Sequence, residues 1–153
     1  MISNFKLTAL AAAVTAIVAG PLTAQDMTLK LGHLANEDNS WHMGSVKFGE
    51  ELAALTDGRI VVEVFPNESL GKEIDLINGM QLGTVDMTIT GESLQNWAPK
   101  AALLAVPYAF KTIDDMDAFA SGPVGDEITQ QIIEKVQIRP IAYFARGARD
   151  LTS

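Results

Sequence analysis

Two arginines near the carboxyl end of the chain have the clearest capacity to bind a charged ligand. Arg146 and Arg149 directly follow a segment whose alternating pattern predicts a strand. A guanidinium group at the carboxyl end of a strand is well placed to hold a carboxylate through two parallel hydrogen bonds. The alternative is a surface arginine that pairs with the neighbouring Asp150. The residues alone leave both interpretations of Arg149 open.

The chain has two histidines, His33 and His42, which lie nine positions apart. A metal-binding pair on one helix requires a spacing of four, and the motif H-E-x-x-H is absent, so we predict no metal site. His42 stands beside Trp41 at a predicted helix start, which favours a capping or surface role. His33 ends a predicted strand, where it is either a ligand contact or a structural histidine with satisfied hydrogen bonds.

Residue groupings that catalyse reactions are missing from the sequence. It contains neither a G-x-S-x-G nucleophile motif nor a glycine-rich phosphate loop. Because it has no cysteine, it has no thiol nucleophile, disulfide, thiolate metal ligand or lipid-modified cysteine. The adjacent pairs Glu50-Glu51 and Asp114-Asp115 are most simply solvated helix charges. We therefore expect neither an enzyme nor a cofactor.

The first 24 residues are typical of a secretory signal peptide. Lys6 precedes an apolar run from Leu7 to Gly20, and Pro21 to Ala24 supply a helix breaker and a small residue. A transmembrane anchor is the alternative, but the run is shorter than the roughly 20 apolar residues that span a bilayer. We expect the mature protein to be free in the periplasm, without direct insertion into the membrane after cleavage.

The chain is acidic, with a formal net charge of −8. Lys6 is the sole charged side chain in the first 24 residues, so cleavage would make the protein more negative still. This charge disfavours nucleic acid and anionic membrane surfaces as partners. An anionic ligand would need a local cationic group to overcome the overall field.

Hydrophobic periodicity divides the remaining chain into alternating strands and helices. Strands are predicted over Thr28–His33, Arg59–Phe65, Val85–Thr90 and Ile138–Ala145, and an extended segment over Ala101–Tyr108. Helices are predicted from a cap at Asn39 or Ser40 to about Leu55, and over about Lys72–Leu82, Thr112–Ser121 and about Val124–Val136. This alternation predicts an α/β fold with a largely parallel sheet flanked by helices. Such folds bind ligands at the carboxyl ends of their strands, which directs attention to residues 33–39, 66–73, 91–96 and 146–153.

Three of the predicted helices carry apolar stripes that should face the core. The stripes are Trp41, Phe48, Leu52 and Leu55 in the first helix, Ile74, Ile77 and Met80 in the second, and Ile128, Ile132 and Val136 in the last.

Six stretches in a fixed order carry a resemblance to a known family. They are Leu31-Gly32-His33, Thr56-Asp57-Gly58-Arg59-Ile60, Phe65-Pro66-Asn67 with Leu70-Gly71-Lys72-Glu73, Gln81 to Met87, Pro107-Tyr108-Ala109-Phe110, and Gly147 to Ser153. Any one of them is weak evidence, but together they cover nearly all of the chain after residue 24. The sequence resembles the solute-binding proteins of TRAP (tripartite ATP-independent periplasmic) transporters, of the C4-dicarboxylate-binding type.

The resemblance implies two α/β lobes, like those of other periplasmic binding proteins, that close on a small organic acid and deliver it to a membrane permease. It implies that Arg149, Glu73, His33, Glu92 and Ser93 face the ligand. Family members are longer, so the chain is expected to be an N-terminal fragment whose second lobe is mostly missing. The expected domains are a signal peptide over 1–24, the first lobe over 25–145, and the start of the crossover into the second lobe over 146–153.

Two other functions remain open at this point. An exported α/β lobe could be the ligand-sensing module of a signalling receptor, which would require a transmembrane helix after Ser153. A secreted hydrolase would require a nucleophile and a base that the sequence does not supply.

Overall fold

The computed structural model describes residues 26–144, which form three strands, four α-helices and two 3-10 helices. The strands are β1 (Met27–Gly32), β2 (Ile60–Phe65) and β3 (Met87–Thr88), and the α-helices are α1 (Ser40–Leu55), α2 (Glu73–Leu82), α3 (Ile113–Ala120) and α4 (Pro123–Val136). The 3-10 helices span Glu92–Asn96 and Pro99–Ala105. The predicted signal peptide, Arg146 and Arg149 lie outside the described residues.

The three strands form one parallel sheet in the order β2-β1-β3. β1 pairs with β2 along six residues, from Met27 opposite Ile60 to Gly32 opposite Phe65. It pairs with β3 along two, which end at Gly32 opposite Thr88. Parallel neighbours require a crossover connection, and α1 and α2 provide the two crossovers. The predicted α/β fold with a parallel sheet flanked by helices is confirmed.

The helices α1 and α2 cover opposite faces of the sheet. A Cβ atom added to Gly49 of α1 would lie 3.1 Å from Cβ of Val62, and one added to Gly32 would lie 2.6 Å from Cδ2 of Leu76 in α2. Val62 is paired with Leu29, three positions before Gly32 in β1. Because side chains alternate between faces along a strand, the two contacts lie on different faces.

Local hydrogen bonds explain where the helices begin and end. The Asn39 side chain accepts a 2.9 Å hydrogen bond from the backbone N–H of Trp41 and so caps α1. At the start of α2, the Asp75 side chain accepts a hydrogen bond from the backbone N–H of Lys72. After the last residue of α2, Gly83 caps the helix with a φ of 73°. Glycine adopts this left-handed conformation without the steric cost of a Cβ atom, as expected at a helix end.

The fully enclosed core lies between α4, α2 and the two 3-10 helices. Its members are Ile77, Leu94, Ala98, Ala101, Ile128, Ile132 and Val136. The stripe predicted for α4 is therefore confirmed. The stripe predicted for α2 is wrong in part, because Ile74 is 47% exposed whereas Leu76 is buried.

Three predicted segments differ from the structure. β3 is confined to Met87–Thr88 instead of spanning Val85–Thr90, and the supposedly extended segment 101–108 begins within a 3-10 helix. The residues 138–144 form no strand in the described part of the chain. Pro140 has no N–H to donate to a ladder, and a groove separates this segment from β3. A hydrogen bond of 2.9 Å between the hydroxyls of Tyr143 and Thr129 holds the segment against α4 instead.

Candidate ligand-binding edge

The carboxyl ends of the strands meet at one edge of the sheet, where the loops after β1 and β2 are joined to each other. The backbone N–H of His33 donates to the carbonyl of Phe65 at 3.0 Å, and that of Glu68 donates to the carbonyl of His33 at 3.2 Å. The backbone N–H of Asn67 donates to the carbonyl of Ala35 at 3.0 Å. These bonds continue the β1–β2 pairing past the last strand residues and give the edge a fixed backbone.

His33 is fully buried at this edge. Its Nε2 lies 3.3 Å from Nδ1 of His42 in α1, and its Nδ1 has no hydrogen-bond partner among the described residues. Burial lowers the pKa of His33, and the neighbouring His42 lowers it further. The Ala35 backbone opposes these effects in part without completing a hydrogen bond to Nδ1. The imidazole therefore faces α1, and its role as a ligand contact stays a prediction.

His42 neither caps α1 nor lies free on its surface, in contrast to what its position suggested. Asn39 provides the cap, while the half-buried ring of His42 packs against that of His33 with 5.4 Å between the ring centroids. The sequence signal for this contact is weak, because the two residues belong to different elements.

Glu73 is the first residue of α2 and is half-buried. Its Oε1 accepts hydrogen bonds from the hydroxyl of Thr90 at 2.5 Å and from the backbone N–H of Gly91 at 3.2 Å. A carboxylate at this position also interacts favourably with the positive end of the helix dipole. Glu73 thus joins the start of α2 to the chain that follows β3. These two segments together fix the position of its carboxylate at the edge of the sheet.

Glu92 and Ser93 begin the first 3-10 helix, directly after the Gly91 that Glu73 binds. Glu92 is exposed and Ser93 is half-buried, and the Ser93 carbonyl accepts a 2.8 Å hydrogen bond from the side chain of Asn96. The structure therefore brings three of the predicted site residues, Glu73, Glu92 and Ser93, to one end of β3. His33 lies at the neighbouring end of β1.

A groove of about 1020 Å³ opens beside this edge, and the sequence patterns did not indicate it. Its walls include α1 with the α1-facing side of β1, residues 86–90 at β3, and the segment 138–144, and single residues of α2, α4 and both 3-10 helices also line it. The lining is mostly apolar and includes Trp41, Phe48, Ile141 and Tyr143. Thr90, which donates to Glu73, reaches the same groove. Apolar residues that are far apart in the sequence form this groove only when the chain folds, so no local motif indicates it.

Arg139 is the one basic residue that lines the groove within residues 26–144. It lies three positions after the end of α4 and is exposed. Nothing in its local sequence distinguishes it from other surface arginines.

Among residues 26–144, no three His, Cys, Asp or Glu side chains lie together in a way that would hold a metal ion. No helix described there combines the length and the apolar character needed to cross a bilayer.

The comparisons with known proteins agree with this geometry. The model of bacterial extracellular solute-binding protein family 7 matches residues 31–153. A solute-binding protein of Roseobacter denitrificans is 70% identical over 153 residues, which are all of this chain and 47% of that protein. The 2,3-diketo-L-gulonate-binding periplasmic protein of Escherichia coli is 29% identical, and the match covers 93% of this chain and 43% of that protein.

Solved structures show the same likeness. The Roseobacter denitrificans TRAP periplasmic solute-binding protein, solved with bound L-galactonate, superposes with a TM-score of 0.79 and 80% identity over 80% of this chain and 41% of that chain. A TRAP periplasmic solute-binding protein of Haemophilus influenzae with bound L-gulonate gives a TM-score of 0.66 and 27% identity over 71% and 36% of the two chains. The chain spans about half the length of the curated relatives that it matches.

Proposed function

This chain belongs to family 7 of the bacterial extracellular solute-binding proteins, and from that premise we propose that it captures a small organic acid for a TRAP transporter. The observation that carries the proposal is the 70% identity, along its whole length, to a Roseobacter denitrificans solute-binding protein. The function is binding without chemistry. It requires no catalytic residue, and the sequence contains neither a G-x-S-x-G nucleophile motif nor a glycine-rich phosphate loop.

The ligand we propose is a sugar acid, a monocarboxylate with several hydroxyl groups. The similar proteins of known structure hold L-galactonate and L-gulonate. The carboxyl-end edge of the sheet supports this class of ligand. The Glu73 carboxylate can accept hydrogen bonds from ligand hydroxyls and still keep its hydrogen bond from the Thr90 hydroxyl. A ligand with several hydroxyls and one carboxylate requires many neutral hydrogen-bonding groups and few cations, which suits an acidic protein.

The predicted site residues divide into two roles in this proposal. Arg149 pairs with the ligand carboxylate through charge-assisted hydrogen bonds. Glu73, Glu92, Ser93 and His33 interact with ligand hydroxyls at the ends of β1 and β3. A second lobe closing over the ligand would exclude water and create a surface that the permease recognises.

The same proposal includes the domain plan and the location of the protein. Residues 1–24 are the signal peptide, residues 25–145 the first lobe, and residues 146–153 the start of the crossover. The mature protein acts in the periplasm, with the two membrane subunits of a TRAP permease as its protein partners.

A thermal-shift titration tests the proposed ligand class. The protein would be the chain together with whatever its reading frame encodes after Ser153, and the panel would be L-galactonate, L-gulonate, succinate and sn-glycerol 3-phosphate. A ligand that binds only the folded state stabilises it by about 2.7 kcal/mol at a concentration 100 times its Kd. We expect a rise in Tm with the two sugar acids. A well-folded protein that no acid stabilises would contradict the proposal.

Two arginine variants test the carboxylate role. Arg149→Ala should abolish the shift with L-galactonate, because a buried carboxylate would lose its charged partner. Arg59→Ala is the matched control, since Arg59 directly precedes β2 at the opposite edge of the sheet and its side chain is 62% exposed. Undiminished binding by Arg149→Ala would remove Arg149 from the site and leave the ligand class standing.

Glu73→Gln tests the hydroxyl role. Glutamine keeps one oxygen acceptor for Thr90, but a neutral acceptor is weaker than a carboxylate. We expect the affinity for L-galactonate to fall about tenfold, as measured by calorimetry. Glu50→Gln on the exposed side of α1 should leave the affinity unchanged, and an equal fall in both variants would contradict the assignment.

A further inference from the structure

The contact between the two histidines joins the end of β1 to the first turn of α1. Nε2 of His33 and Nδ1 of His42 are 3.3 Å apart, and the ring planes are inclined by 60°. His33 follows the last residue of β1, and His42 is the third residue of α1. The two rings thus form a side-chain contact between the end of β1 and the start of α1.

The chemistry of imidazole allows this contact in only some protonation states. A nitrogen–nitrogen hydrogen bond needs one N–H donor and one bare acceptor, so the contact carries a single proton. If both rings are protonated, two donors face each other and two positive charges repel. His33 is fully buried, so a charge on it also loses its hydration.

The surroundings offer His33 little compensation for a positive charge. The carboxylates on the adjoining segments are Glu37 and Asp38 in the loop after β1, Glu50 and Glu51 in α1, Glu63 in β2 and Glu68 in the loop after β2. All six are exposed, and none forms a hydrogen bond or an ion pair with either imidazole within the described residues. Nδ1 of His33 lacks a hydrogen-bond partner there as well, and the nearby Ala35 backbone offsets the loss of hydration only in part.

We propose that His33 and His42 form an acid-sensitive clamp. While the two rings share one proton, the clamp holds the start of α1 against the end of β1. When both rings are protonated, the start of α1 is released. The release would change the groove beside the sheet, because Asn39, Ser40 and Trp41 at the start of α1 line its rim. The clamp is independent of the identity of any ligand.

The direction of the pH dependence follows from His33. Its pKa in the folded chain is lowered from 6.5 by burial and by His42, so the unfolded chain binds more protons in the range below 6.5. The stability that the neutral His33 contributes is therefore fully present above pH 6.5 and decreases as the pH falls below that value. The decrease stops once the pH is below the pKa of His33 in the folded chain.

A shared metal ion is the other explanation of two imidazole nitrogens at this distance. It is less favoured, because no third ligand joins them within residues 26–144. A histidine that binds a metal also usually donates its other N–H to an acceptor, whereas Nδ1 of His33 has none among the described residues.

Imidazole NMR on the untagged chain provides the direct test, since the chain has only two histidines. We expect the His33 ring to remain neutral well below pH 6.5, in a single tautomer, and the nitrogen–nitrogen contact to be lost only when this ring is protonated as well. Two histidines that titrate independently near pH 6.5 would overturn the proposal.

Urea unfolding at pH 7.5 and pH 5.0 supplies the second measurement, with His42→Phe as the variant that keeps an aromatic ring but cannot share a proton. The native chain should lose up to about tenfold in its folding equilibrium constant for each unit between the folded and unfolded pKa values of His33. The loss should be smaller in His42→Phe, and an equal loss would contradict the clamp. A zinc-induced rise in Tm at pH 7.5 that is absent from His42→Phe would replace the clamp with a metal site.

Discussion

The apolar stripes of α4 and α1 differ in how completely the structure encloses them. In α4, the side chains of Ile128, Ile132 and Val136 are all fully buried. In α1, Phe48 is 36% exposed and Leu55 is 82% exposed. α4 packs against elements on several sides, whereas α1 has the sheet on one side and the open groove on another. Apolar periodicity thus predicts which face of a helix seeks a partner, and the packing decides whether that face is enclosed.

The largest expected effect is at the centre of the α4 stripe. Ile132→Ala removes a fully buried side chain from the core and leaves a cavity, so we expect the free energy of unfolding to fall by about 2–5 kcal/mol. Urea denaturation of the purified chain measures it. A fall below about 1 kcal/mol would show that the α4 core is as loosely packed as the α1 side.

A pair of glycine substitutions sharpens the contrast between the two helices. A Cβ atom at Gly125 of α4 would lie 2.0 Å from the carbonyl oxygen of Ala120, so the backbone of α3 or α4 must move. We expect Gly125→Ala to destabilise the chain by about 1–3 kcal/mol. A Cβ atom at Gly44 of α1 meets nothing within 4 Å, and Gly44→Ala should stabilise it by about 0.5–1 kcal/mol.

The unfolding midpoints of both glycine variants in urea check this pair. Equal changes in the unfolding midpoint of the two variants would mean that α4 at Gly125 does not approach the end of α3 as closely as the 2.0 Å distance indicates.

The start of α1 depends on a side chain, in contrast to that of α4. Asn39 caps α1, while the corresponding position of α4 is Gly122, which has no side chain. We expect Asn39→Ala to lower the free energy of unfolding by about 1 kcal/mol. Asn36→Ala in the same loop is the control, with a change within about 0.5 kcal/mol. Similar losses in the two variants would show that the cap does not set the start of the helix.

The smallest effect is expected at the exposed end of the α1 stripe. Leu55→Ala should change the free energy of unfolding by no more than about 0.5 kcal/mol, because the side chain is 82% exposed. A loss above about 2 kcal/mol would mean that a partner covers Leu55 in solution.

Much of the fold could be predicted from periodicity and end signals. α1 ends at Leu55 as predicted, and its cap is Asn39, one of the two residues predicted for that role. The β1 and β2 strands agree to within a residue or two at their ends. The inward stripe of α4 was also correct. These features depend on residues that are close in the sequence, so local chemistry is sufficient to indicate them.

Predictions failed where an element depends on distant neighbours. The residues 138–144 have the alternating pattern of a strand, but β3 ends after two residues and a groove lies between them. Leu76 is buried instead of Ile74, because the orientation of α2 depends on Gly32 and its close approach to the Leu76 side chain. Neither fact is present in the local sequence.

The candidate site divides in the same way. The resemblance selected Glu73, Glu92, Ser93, His33 and Arg149, and four of these lie at the described edge of the sheet, with Arg149 outside the described residues. The sequence did not indicate that Thr90 and Gly91 bind Glu73, or that His42 contacts His33. These partners are 9 to 18 positions apart along the chain.

The sequence by itself determined the class of fold, the order of its elements and the family, because periodicity, helix caps and short motifs act over a few residues. The tertiary structure decided which face of each helix was enclosed, where the sheet ended, and which polar atoms met at its edge. The physical reason is that burial and hydrogen bonding between elements depend on distances of a few ångströms across the fold, and such distances exist only after the chain has packed.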